Sequence, residues 1–252
     1  MKVLIAGETP FIDEIGQLCV QAGHDTTLYL VEDFMGAIES GYSIRGFGDY
    51  EVVIECHNES ASVKQELLLA LSNIVAPDSL ILSTALPVSA TQVAAWVTNS
   101  WRVVGFGVVP PLPKAGLIEL AAAMQTAPHM MEQAKAFWQG LQQESVVVAD
   151  GPGLVRARTI CCLVNEAASV LMEGVASARD IDRAMQLGTN YPHGPLAWAD
   201  HMGLDAVLGV MTGLFSEWGD DRYRPSPLLK RMVLAGKLGK KTGIGFYTYD
   251  EA

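Results

Sequence analysis

Residues 1–30 read MKVLIAGETPFIDEIGQLCVQAGHDTTLYL, and the fold turns on how the apolar pattern of that stretch changes period. The segment KVLIA (residues 2–6) has the length of a buried strand and runs directly into Gly7. From Phe11 to Ala22 the apolar residues recur at helical spacing, and TTLYL (residues 26–30) returns to a strand-like run. An apolar strand, a glycine turn and a helix form the frame of a nucleotide-binding fold. Three glycines normally serve there: one for the tight turn, one for backbone approach to a diphosphate, one for close helix–strand packing. Only the first is present, as Gly7; Thr9 stands at the second position and Ile12 at the third. Pro10 suits the start of a helix but has no N–H to offer a phosphate. Glu8, Asp13 and Glu14 bring negative charge to the same helix end.

The alternation continues outward. YEVVIEC (50–56), SLILST (79–84), RVVGFGVV (102–109) and ESVVVAD (144–150) are short runs rich in Val, Ile and Leu, with helical patterns over residues 62–72 and 130–142. Continuous apolar strands separated by helices predict a mostly parallel sheet covered on both faces. Residues 1–150 are therefore expected to form a doubly wound, Rossmann-like α/β domain. The character changes at DGPGLV (150–155), and from Arg156 onward only helical periodicity is seen. Leu163, Ala167, Val170 and Leu171 share one stripe; Ser177 is placed to cap the next helix and Gly188 to stop it. Residues 151–252 are expected to form an all-α C-terminal domain.

Apolar residues make up 50% of the chain and charged residues 18%, the balance of a globular protein. A net charge of −11 opposes nucleic-acid binding, which rests on neutralising phosphates. The longest apolar runs, LLLALSNIVA and VVGFGVV, are too short to span a membrane, and the run in MKVLIAGE reads as a first strand rather than a signal peptide. Cys19, Cys56, Cys161 and Cys162 have neither metal nor disulfide spacing, and the adjacent pair is read as buried free thiols. Together these features predict a cytoplasmic protein without metal, membrane or nucleic-acid partners.

GPGLVRAR (151–158), NEAASVLMEGVASARDIDRAMQLGTNYPHGPLAWADHMGLD (165–205) and RYRPSPLLKRMVLAGKLGKKTGIGFYTYD (222–250) closely resemble the C-terminal domain of the 3-hydroxyacyl-CoA dehydrogenase family. QAGHDTTLY (21–29), VVIEC (52–56), ILSTALP (81–87) and GLIEL (116–120) resemble the same family's NAD-binding domain. The resemblance implies a Rossmann domain coupled to a helical domain that dimerises and helps close the active-site cleft. It further implies oxidation of a 3-hydroxyacyl-CoA to the 3-ketoacyl-CoA with NAD, in fatty acid metabolism. An acyl-CoA or another small ligand and a homodimer through residues 151–252 follow as expected partners.

Carried over residue by residue, the resemblance assigns Gly7 and Thr9 to the cofactor turn. The ribose-binding acid falls on Leu30, with Glu32 as the nearby substitute. The glutamate that orients the catalytic base falls on Glu119, and the family serine hydroxyl on Thr84, with Ser83 adjacent. The histidine position in GFGVVPP is Gly107, and the helical-domain asparagine is Ala157, beside a retained Arg158. Oxidising a hydroxyl needs a base for its proton, so a substitute is required for activity. His57, just after the third strand, is the candidate, against the plainer reading of a solvated loop histidine. His24 belongs to a helix-to-strand turn, and His129, His193 and His201 sit in loops or in the helical part. Without its histidine, Glu119 is alternatively an ordinary surface or capping residue.

Residues 31–49 are too short for the helical hairpin that touches CoA in the family, and LLKRMVLAGKLGKK reads as a solvated basic face. The sum predicts a non-catalytic or strongly impaired dimeric relative. The alternative is an active NAD-dependent oxidoreductase acting on a 3-hydroxyacyl-CoA or a smaller hydroxy acid.

Overall fold

The computed structural model describes residues 1–39 and 49–249. Strands β1 (Lys2–Gly7), β2 (Asp25–Leu30), β3 (Val52–Cys56), β4 (Leu80–Thr84), β5 (Val103–Gly107), β6 (Leu117–Ala122) and β7 (Glu144–Val147) build one sheet in the order β2-β1-β3-β4-β5-β6-β7. All neighbours run parallel except β5 and β6. β3, β4 and β5 are buried throughout, as two-face coverage of a parallel sheet demands, whereas the edge strands β2 and β7 alternate with solvent.

Along β1 the side chains alternate between two cores. Val3 and Ile5 face α1 (Phe11–Gln21) and α5 (Pro128–Gly140), where Phe11, Ile15, Phe137 and Trp138 fill the layer. Leu4 and Ala6 face α2 (Val31–Glu39), α3 (Ala61–Ile74) and α4 (Ala90–Trp96), through Phe34, Leu67, Leu71 and Val93. Because the chain winds away from β1 on both sides, a crevice opens outside the carboxyl ends of β1 and β3.

The helical part comprises α6 (Arg156–Met172), α7 (Ala178–Thr189), α8 (Pro195–Met202), α9 (Leu204–Trp218) and α10 (Pro227–Leu234). Ala167, Val170 and Leu171 of the expected stripe meet Ile181 of α7 and Leu196 of α8. α9 closes down on the sheet's carboxyl edge. A Cβ added at Gly209 would stand 2.3 Å from the Asn58 carbonyl oxygen, and one at Gly213 1.9 Å from that of Pro87. Only glycine lets this helix backbone approach the loops after β3 and β4 so closely.

Some details depart from the sequence reading. Leu117–Ala122 is a strand, which the charge of Glu119 in its middle obscured, and Ala90–Trp96 is a short helix. Ser177 caps α7 as expected, its hydroxyl accepting from the Asp180 N–H at 3.2 Å. Gly188 does not stop that helix; it lies exposed inside it, and Asn190, in the left-handed region at φ 57°, ends it. Within residues 31–49, Val31–Glu39 is a single helix, and residues 40–48 of the expectation about the CoA hairpin lie outside the described residues.

Two substitutions check this packing by urea or thermal unfolding. Gly188→Ala should stabilise by about 0.5–1 kcal/mol, since a Cβ there meets nothing within 4 Å and the helix gains from reduced backbone freedom. Gly213→Ala should destabilise by about 1–3 kcal/mol, because the Pro87 carbonyl has to be displaced.

Candidate functional site

The carboxyl ends of β1, β3 and β4 carry a buried polar cluster. β3 places Glu55 beside Ser83 of β4 in register, and Lys64 reaches back from the first turns of α3. Both Glu55 and Lys64 are fully buried and pair at 2.5 Å. Lys64 Nζ also donates to the His57 carbonyl at 3.0 Å and to Thr84 Oγ1 at 2.9 Å, so three donors have three acceptors. Glu55 receives the Ser83 hydroxyl at 2.6 Å and the His57 N–H at 2.7 Å. Thr84, expected as the family hydroxyl, is fully buried and donates a hydrogen bond to Asn58 Oδ1 at 2.7 Å; that hydroxyl is spent within the protein.

Glu8 joins this cluster from the turn after β1. One of its oxygens accepts the Asn58 N–H at 2.8 Å, and the other lies 2.6 Å from His57 Nδ1. His57 Nε2 in turn accepts the Ser60 N–H at 3.2 Å. His57 is therefore buried rather than solvated; its Nε2 is engaged, while Nδ1 and Glu8 Oε2 lie in close contact without hydrogen-bond geometry. Gly7 keeps its place for a packing reason, because a Cβ there would stand 2.5 Å from Cys56 Sγ.

NAD, implied by the resemblance, can be tested against these residues. Ile12 is buried where the third glycine would allow close helix packing, and Thr9 is half-buried at the second position. A cavity of about 440 Å³ adjoins the turn, lined by Thr9, Asp13 and Glu14 on one side and by His201, Lys240 and Lys241 on the other. A diphosphate at the turn meets Glu8, Asp13 and Glu14, while Lys241 is already bound to Glu59 and Asp205. Leu30 and Glu32 are both exposed at the end of β2 and the start of α2. These residues do not fit a dinucleotide diphosphate.

The positions expected for the catalytic pair do come together. Gly107 and Glu119 are register partners across β5 and β6, and a Cβ at Gly107 would lie 3.0 Å from Glu119 Oε2 and 2.9 Å from Leu154 Cδ1. Glu119 is buried, not a surface residue. It accepts the Arg156 N–H at 3.1 Å and the Val155 N–H at 3.4 Å, capping the start of α6. Burial holds its carboxyl above the usual carboxylate range, against the opposing pull of those two amides. Ala157 follows in the first turn of α6, fully packed, and Arg158 donates to the Tyr223 hydroxyl while its guanidinium lies 5.3 Å from the Trp218 ring.

The remaining histidines have local partners: His24 stacks on Phe137, His129 lies tilted against Trp101, His193 meets Trp198 edge-on, and His201 Nε2 lies 3.4 Å from Glu14. Lys241 is not part of a solvated basic face, since it is held between carboxylates from both parts of the chain. Cys161 is buried and Cys162 half-buried, both as free thiols. Among the described residues, no group of three or more His, Cys, Asp and Glu is placed to hold a metal ion, and no helix is long and apolar enough to cross a membrane. Sequence reasoning missed Lys64, Glu55 and the Glu8–His57 contact. The available signal was a glutamate inside the apolar run VVIEC with a lysine nine residues on, at the start of the next helix.

Lys64→Met should cost about 3–5 kcal/mol in urea unfolding, because it strands the Glu55 charge in the interior. Lys64→Met combined with Glu55→Leu should recover part of that loss. A double variant as unstable as the sum of its singles would show that the two side chains do not act as a pair.

Similarity to known proteins supports the same frame. The 3-hydroxyacyl-CoA dehydrogenase C-terminal domain matches residues 153–249, and the NAD-binding domain of the same family matches residues 13–151, beginning just after the altered turn. A Bacillus subtilis protein named "Probable 3-hydroxybutyryl-CoA dehydrogenase" is 38% identical over 201 residues, covering 80% of this chain and 70% of the relative. The Clostridioides difficile 3-hydroxybutyryl-CoA dehydrogenase is 32% identical over 219 residues, covering 87% and 78%. The crystal structure of (S)-3-hydroxybutyryl-CoA dehydrogenase from Ralstonia eutropha superposes with a TM-score of 0.78 at 31% identity, covering 99% of each chain. The chain belongs to the 3-hydroxyacyl-CoA dehydrogenase family.

Proposed function

We propose that this protein is a family member in which the dehydrogenase site is no longer competent for ordinary NAD-dependent hydride transfer, retained as a dimeric binding or partner subunit. The observation that carries the reading is Glu8. Its buried carboxylate sits in the turn that would receive the cofactor diphosphate and is tied to His57 and to the Asn58 amide. Gly107 in the histidine position and Ala157 in the asparagine position support it independently. Loss of a general base alone costs about 10²–10⁴-fold in rate. His57, the candidate substitute, is occupied by Glu8 and Ser60, and Thr84 by Lys64 and Asn58.

In this reading the chain divides at residues 150 and 151, and the helical part carries the homodimer contact. Two apolar grooves on that part support it. One, of about 270 Å³, runs between Leu163, Val170, Ile181 and Met185, and another, of about 370 Å³, between Val155, Ile160, Tyr191 and Trp198. Free thiols and the acidic surface favour a cytoplasmic setting, where an acyl-CoA or another small ligand is the remaining candidate for the cleft. The second reading is an active oxidoreductase of fatty acid metabolism on a 3-hydroxyacyl-CoA or smaller hydroxy acid. It is favoured by relatives of 32–38% identity bearing that name and by the retained Glu119 facing position 107.

Titrating NADH by fluorescence should give no saturation at millimolar cofactor, and acetoacetyl-CoA reduction with excess protein should show no turnover. Saturable binding with turnover that disappears in Glu119→Ala or His57→Ala would establish the second reading instead. Light scattering on the eluting protein should give twice the 27.1 kDa chain mass, and a monomer would refute the dimer.

A further inference from the structure

The α/β and helical parts meet at one charged contact that no catalytic role explains. Lys241 Nζ, in the turn after α10, lies 2.5 Å from Asp205 Oδ2 at the start of α9 and binds Glu59 Oε1 in the loop after β3. Asp205 Oδ1 also accepts the Ala206 N–H at 3.0 Å. The three side chains stand where α9 presses on the sheet edge, four residues before Gly209 meets the Asn58 carbonyl. Glu59 and Asp205 also line a cleft of about 400 Å³ between the two parts, walled by Pro87, Val88, Leu208 and Thr212.

We propose that Glu59, Lys241 and Asp205 form a proton-linked latch that holds the helical part against the sheet edge across this cleft. Two carboxylates share one ammonium, so the closed contact carries an excess negative charge that a single proton relieves. Opening separates Glu59 from Lys241 and Asp205 and returns the carboxylates to water, where each keeps its ordinary acidity. Burial, and the hydrogen bond that its protonated form donates to Glu59, raise the Asp205 carboxyl to about 6, with Lys241 opposing the rise. The closed state thus binds a proton more tightly than the open one. Its extra stability is present in full below about pH 4 and is lost as pH rises through about 6.

Other titratable groups near the latch have their own partners or stand apart. Asp200 is held by the Phe246 and Tyr247 amides, His201 faces Glu14, and Lys240 lies over the Tyr249 ring. Asp13 lies across the neighbouring cavity, and Glu217 sits on α9 three turns beyond Asp205. The latch depends on neither the presence nor the absence of a bound cofactor, so its test is independent of the functional reading above.

The full-length protein is labelled for carboxyl ¹³C NMR and titrated, and hydrogen exchange of segments 57–61 and 203–209 is followed at pH 5.5 and 7.5, corrected for intrinsic exchange. The Asp205 carboxyl should titrate near 6, and protection should rise about fourfold on going from pH 7.5 to 5.5. Asp205→Asn should abolish that pH dependence. Glu59→Gln, which leaves the Asp205–Ala206 contact and the burial of Asp205 intact, should weaken it and serves if the first variant fails to fold. An Asp205 midpoint near 4, protection that is flat across the range, or a slope that survives both substitutions would overturn the latch.

Discussion

A carboxylate that accepts hydrogen bonds from two consecutive backbone amides recurs at the junctions of this fold. Asp150, at the end of the last strand segment, takes the Ala90 and Thr91 amides at 2.7 and 2.8 Å and so fixes the start of α4. Glu119 takes the Val155 and Arg156 amides and fixes α6 to the middle of β6. Asp182 takes the Leu196 and Ala197 amides, both at 2.8 Å, and Asp200 takes those of Phe246 and Tyr247, both at 2.9 Å. In the first three cases the amides open a helix, whose first N–H groups have no partner within it, and the carboxylate satisfies two of them while meeting the positive end of the helix dipole; Asp200 holds a C-terminal turn instead. Each of these acids is at least 14 residues from its amides, so the interaction joins separate elements.

This constraint also explains why the C-terminal motifs were readable. Gly194 and Pro195 begin α8, and a Cβ at Gly194 would stand 2.2 Å from Asp182 Cβ, so the glycine is what lets the acid reach the helix end. Gly245 has the same relation to Asp200, at 2.0 Å from its Oδ1. The phrases around YPHGP and TGIGFY thus encode closely packed caps with little tolerance for change. They identify the family and the helical fold, and they report on architecture rather than chemistry.

The sheet was equally legible wherever strands are buried on both faces, because β1, β3, β4 and β5 read as continuous apolar runs. β6 escaped because a buried glutamate interrupts it, and α7 was ended too early because an exposed glycine inside a helix has the same signature as a stop. The polar cluster at the strand ends was hidden for a different reason. Lys64 and His57 look like surface residues in isolation; only the parallel order β1-β3-β4 brings Glu8, Glu55 and Thr84 within reach of them. Lys241 was misread in the same way, since its partners Glu59 and Asp205 are 182 and 36 residues away.

The three departures from the family pattern differ in how deeply they are built in. Position 107 still faces Glu119, and a Cβ there crowds the ends of the Leu154 and Glu119 side chains rather than backbone. Ala157 is one residue in the first turn of a helix whose cap is intact. The turn after β1 is another matter. Glu8 is tied to the Asn58 amide, Asn58 to Thr84, Thr84 to Lys64 and Lys64 to Glu55, so this acid is one end of a continuous buried network. His57 lies against Glu8 beside that network, so the turns after β1 and β3 pack as one unit. Removing Glu8 alone leaves the Asn58 amide unpaired in the interior, a cost of about 1–3 kcal/mol. A change at Glu8 therefore involves the turns after β1 and β3 together, whereas position 107 stands outside that network.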